Sequence, residues 1–69
     1  MAKVETKYGV KLPRKVVAVD VGSKGDLYVR FEHVPKPIGE ATDDGLAILF
    51  YENEHRLVGV ELLDAEPFM

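Results

Sequence analysis

No cysteine and no tryptophan occur in the 69 residues, and histidine occurs only twice. Without thiols the chain can form neither a disulfide nor a zinc–thiolate site, two of the devices by which small domains compensate for a small core. The histidines, His33 and His55, stand far apart and lack ligand-like spacing. They are read as surface or edge residues, and no metal or cofactor is expected. Long apolar runs are missing as well, because a bilayer-crossing helix needs roughly 20 such residues and no stretch approaches that. The opening MAKVETKYGVKLPRK lacks the apolar centre of a signal peptide, so a cytoplasmic protein is expected. No nucleophile elbow, phosphate loop or metal signature is present, and no enzymatic activity is expected.

What the chain does have is apolar: 46% of its residues are hydrophobic and 30% charged, a globular balance. A domain of this length buries only roughly 60% of the surface its unfolded chain exposes. With disulfides and thiolate metal sites excluded, association with a second copy is the expected remedy, as a homodimer or higher homo-oligomer.

The chain is organised around residues 46–63, LAILFYENEHRLVGVELL. Two apolar runs flank a polar connection, the pattern of a β-hairpin, and Asn53 is the best candidate there for a positive φ. Strand alternation places Leu46, Ile48 and Phe50 on one face and Ala47, Leu49 and Tyr51 on the other. Both faces are apolar, whereas a sheet with one wet side alternates apolar with polar. Ile48 and Val60 are expected in the core. Ala47, Leu49 and Tyr51 are expected to form the partner-binding surface, on a face the chain is too short to cover. In the return strand Val58, Val60 and Leu62 point one way, and Leu57, Gly59, Glu61 and Leu63 the other. Gly59 signals a bulge or a close approach.

Before the hairpin, residues 16–21 read as a strand, Gly22-Ser23-Lys24-Gly25 as a turn, and residues 27–33 as a second strand. In the latter Leu27, Val29 and Phe31 alternate with Tyr28, Arg30 and Glu32. Pro35 and Pro37 break the ladder, residues 38–41 form a short edge strand, and Asp43-Asp44-Gly45 is a turn leading into the spine. The expected fold is mainly β: a small antiparallel meander of four to five strands with little or no helix. Residues 1–15 are read as a basic arm or edge strand, 16–66 as a single β-sheet domain, and 67–69 as a tail. Phe68 could cover the sheet, and the last residues have room for one helical turn.

Charge divides the chain unevenly. Through Lys36 eight of the nine basic residues stand against four acids, a balance of +4; beyond it Arg56 stands against eight acids, −7. Lys3, Lys7, Lys11, Arg14 and Lys15 make nucleic-acid binding an alternative function, although a compact domain brings the acidic half near enough to offset them.

Three blocks carry a family resemblance: Gly25-Asp26-Leu27-Tyr28-Val29-Arg30-Phe31, then Asp43-Asp44-Gly45-Leu46, then Arg56-Leu57-Val58-Gly59-Val60-Glu61-Leu62-Leu63-Asp64-Ala65. In order and spacing they resemble the small prokaryotic family called domain of unknown function 2283, over about residues 16–66. The chain departs from the family pattern at His55, where glycine is usual, and at Phe50, where an acid is frequent. Members are small stand-alone proteins often encoded near toxin-like proteins, so the resemblance implies an antitoxin-like role as a protein partner.

One cluster could hold a small ligand. If the strands containing Tyr28 and Glu61 pair, Tyr28, Arg30 and Glu61 share a face beside the gap at Gly59. The competing structural reading is an Arg30–Glu61 ion pair with the Tyr28 ring packed over it. Asp43 and Asp44 are read as turn formers rather than as a cation site or a catalytic pair.

Overall fold

The computed structural model describes residues 2–53 and 56–68. Helix α1 (Ala2–Tyr8) is followed by strands β1 (Ala18–Val21), β2 (Leu27–Arg30), β3 (Ile38–Ala41), β4 (Ala47–Glu52) and β5 (Arg56–Leu62), and by a single 3-10 turn at Glu66–Phe68. The strands form one antiparallel sheet in the order β1-β2-β5-β4-β3. The mainly β, antiparallel expectation is met. The order departs from a simple meander because the 31–37 crossover carries the chain from β2 to the far edge, leaving β2 beside β5.

The turns follow their sequence signals. Gly25 (φ 89°) closes β1–β2, Gly45 (φ 72°) leads into β4, and Asn53 (φ 54°) opens the β4–β5 connection. His55, where the family resemblance is broken, lies outside the described residues.

The amino-terminal segment departs from expectation: residues 2–8 form a helix, not an edge strand or free arm. Gly9 terminates that helix instead of preventing it. Its φ of 65° is the left-handed conformation favoured just past a helix end, and its N–H donates to the Glu5 carbonyl at 2.9 Å. Val4 and Tyr8, four residues apart, then share one face of the helix. The Glu5 carboxylate accepts from the Leu12 N–H at 2.8 Å, turning the extended segment back over the sheet.

That arm is the roof of the core. Val4 (0% exposed) and Leu12 pack with Val29, Phe31, Ala47, Leu49, Val60 and Leu62, while Tyr8, Val10, Tyr51, Leu57, Ala65 and Phe68 close the margins. The surface expected to bind a partner is therefore the inside of the molecule. Ala47 is fully buried, Leu49 is 8% exposed and Tyr51 is half-buried against the core. The expectation failed because residues 2–12 supply a second layer that their lysine-rich sequence disguised. Ile48 is corrected as well: cross-strand register puts it on the opposite face with Glu61, whereas Leu49 opposes Val60.

Candidate functional site

With the arm on one side, the other side of the sheet is open. Register places Asp20, Tyr28, Glu61, Ile48 and Ala41 in one row across this face, with Ala18, Arg30, Gly59, Phe50 and Gly39 in the next. Tyr28, Ile48 and Phe50 are each half-buried there, with no second layer among the described residues above them.

The two glycines explain why large rings lie down on this surface. A side-chain carbon added at Gly59 would stand 3.1 Å from the Tyr28 ring and 3.3 Å from the Val29 carbonyl oxygen; one added at Gly39 would stand 2.9 Å from the Phe50 ring. Each ring occupies the space its neighbouring glycine leaves. The rings stack on each other with centroids 5.1 Å apart and planes 22° apart. On the far side of Tyr28, the Arg30 guanidinium carbon sits 4.8 Å from the ring centroid, a cation–π distance. Arginine, tyrosine and phenylalanine thus form one continuous stack across β2, β5 and β4.

Tyr28, Arg30 and Glu61 do share a face, with Tyr28 directly opposite Glu61. The salt bridge goes elsewhere, however. Arg30 Nη2 reaches the Asp20 carboxylate at 3.2 Å, and Glu61 forms no ion pair among the described residues. Asp20 and Glu61 flank Tyr28 on either side and are both diagonal to Arg30, and the guanidinium turns to the β1 side. Arg30 Nε is shielded from solvent and has no hydrogen-bond partner.

Beside the stack runs a groove of about 420 Å³ lined by Tyr28, Arg30, His33, Val34, Pro35 and Val58, among others. Val58 reaches it through a bulge. Phe50 opposes Gly59 and Tyr51 opposes Leu57, so Val58 is an extra residue in β5, and its carbonyl accepts from the Phe31 N–H at 2.8 Å. The extra residue shifts the alternation by one: Leu57, Val60 and Leu62 face the core, and Val58, although 3% exposed, lies outside the core cluster. Gly59 was the sequence signal for this bulge. Strict alternation had grouped Val58 with Val60 and missed its place in the groove.

The other candidates resolve into structural roles. Asp44 accepts from the Thr42 hydroxyl at 2.6 Å, the Leu46 N–H at 3.0 Å and the Tyr8 hydroxyl at 3.0 Å, and it pairs with Lys7 at 3.4 Å. The Thr42 and Leu46 bonds foremost lower its pKa from 3.8 to about 2. Burial pushes the Tyr8 phenol up, keeping it a donor. Asp44 therefore forms the turn, as expected, and also latches α1 to it. Asp43 and His33 are exposed. Lys3, Lys7, Lys11, Arg14 and Lys15 are exposed on the arm, with Lys7 engaged by the acidic turn. No group of three His, Asp or Glu side chains among the described residues is arranged to hold a metal ion, and no helix among them is long and apolar enough to cross a membrane.

Comparison with known proteins adds no relative: no family model, no curated protein and no solved structure matches the chain.

Proposed function

We propose that this chain is a small protein-interaction module that receives a partner protein on the open face of its sheet, over the Arg30–Tyr28–Phe50 stack and along the groove floored by Val58. The observation that carries this reading is the apolar patch of Tyr28, Ile48 and Phe50 on a sheet face that no second layer among the described residues covers. Tyr28, Ile48 and Phe50 lie beside a groove walled by the 31–37 crossover, and a face meant only for water would carry polar residues at those alternate positions. Half-exposed aromatic and arginine side chains are also the types that contribute most to protein interfaces. The resemblance to the prokaryotic family supports an antitoxin-like role, which makes a small toxin-like protein the first partner to try.

Affinity capture from the native host tests the reading. The wild-type chain should retain a specific protein. Arg30→Glu and Ile48→Glu should each lose it while keeping the wild-type circular dichroism spectrum, and Lys15→Glu on the arm should keep it. Retention by both open-face variants would overturn the proposal, as would loss on the arm variant alone.

A further inference from the structure

A second surface borders the open face and has its own geometry: the β1 edge. The Gly22 N–H donates to the Asp26 carbonyl at 2.9 Å, which sets the phase of the β1–β2 ladder. Hydrogen-bonded and non-bonded pairs alternate in an antiparallel ladder, so Ala18 and Asp20 direct their peptide groups toward β2 while Val19 and Val21 direct theirs outward. β1 ends the sheet, and those outward groups meet no strand among the described residues. The side chains tell the same story. Val19 and Val21 continue the core-facing rows of Val29 and Leu27 but are 54% and 77% exposed, and Val16 beside them is 47% exposed. A seven-residue helix is only about 10 Å long, against about 19 Å between the outer strands of a five-stranded sheet. The roof covers β2, β5 and β4 and stops short of β1.

We infer that β1 pairs antiparallel with β1 of a second copy, joining two five-stranded sheets into one continuous sheet about a two-fold axis at Val19. An open edge with paired apolar side chains accepts any strand in principle; the charges select this one. With Val19 opposite Val19 of the second copy, each Ala18 faces the second copy's Asp20. Arg30 is the direct neighbour of Ala18 in β2 and already holds its own Asp20 at 3.2 Å. Only a methyl group then separates Arg30 from the incoming carboxylate, and each guanidinium lies between two aspartates. A one-pair shift in one direction would set the two Asp20 carboxylates face to face, which is destabilising, and a shift in the other would carry each Asp20 away from the second copy's Ala18 and Arg30. In the chosen register the Val29–Val19 row runs unbroken through the axis into the second copy, and the two Val19 residues exchange backbone hydrogen bonds.

The absence of cysteine makes the test clean. Val19→Cys should form a disulfide-linked dimer under mild oxidation, because directly opposed antiparallel residues bring their Cα atoms within disulfide range. Leu63→Cys, exposed but outside the edge, should remain mostly unlinked. By light scattering the wild type should run at twice the 7.7 kDa chain mass at micromolar concentration. Val19→Lys, a charge on an open edge, should weaken self-association at least about 100-fold with an unchanged circular dichroism spectrum. A wild-type monomer across that range, a Val19→Lys dimer, or equal cross-linking of the two cysteine variants would each overturn the inference. None of these readouts involves the partner on the open face, and Ile48→Glu on β4 lies away from β1, so either proposal can fail without the other.

Discussion

Asp44 shows how much one side chain can organise. It closes the turn before β4, accepts from Tyr8 and pairs with Lys7, so the turn and the roof meet at one carboxylate. Its pKa of about 2 lies below the ordinary 3.8 because its hydrogen bonds favour the charged form. A group with a depressed folded-state pKa contributes stability that is complete above its unfolded value and disappears as pH falls through the folded one. The wild-type advantage over Asp44→Asn in chemical denaturation should therefore be constant above about pH 5 and shrink progressively between about pH 4 and pH 2. A difference that holds unchanged down to pH 2 would show that the carboxylate charge is not what the latch uses. Sequence showed Asp44 as a turn former. It did not show the contact with Tyr8, which lies 36 positions away and exists only once the arm has folded back.

At the level of elements, β4 and β5 were legible as strands and as a paired hairpin, but the face they turn inward was not. Six apolar residues in succession announce a strand with two dry faces, but alternation alone is symmetric and cannot say which face turns inward. The roof decided it. Val60 is fully buried against Leu49 in the core, while Ile48 lies half-buried on the open face. Val60→Ala should lower stability by about 2 kcal/mol, from lost transfer energy and an uncollapsed cavity. Ile48→Ala should cost clearly less, about 1 kcal/mol or under, since it truncates a side chain that already touches water. Equal losses in the two denaturation midpoints would contradict the assignment of faces. The cluster at Tyr28 and Arg30 was legible for a different reason: those residues alternate with Leu27, Val29 and Phe31, whose apolar character fixed their face from sequence alone. Phe50 completed the stack unannounced, although it stands where the resembling family often has an acid.

For the whole molecule, the deciding element is the one that sequence described least well. Lysines recurring between apolar residues made residues 1–15 look like a basic arm or edge strand, yet the apolar positions between them, Val4, Tyr8, Val10 and Leu12, are the inner surface of a second layer. That layer resolves much of the predicted shortage of cover, and what shortage remains is displaced to the open face and to β1. Removing residues 1–12 should therefore abolish cooperative thermal unfolding and produce strong binding of a hydrophobic dye, because Ala47, Leu49, Val60 and Leu62 would lose their cover together. A truncated chain that still melts in one sharp transition would mean that the sheet stands without its roof.

The bulge at Val58 has a corollary for anyone wishing to take the molecule apart. Because that residue is supernumerary, excising it would leave Tyr51 across from Leu57 and Phe50 across from Gly59, the partners they already have. Every inward side chain of the hairpin would stay in phase, while the groove would lose its floor. The proposed partner surface and the hydrophobic interior are in this sense separately editable, and a single codon divides them.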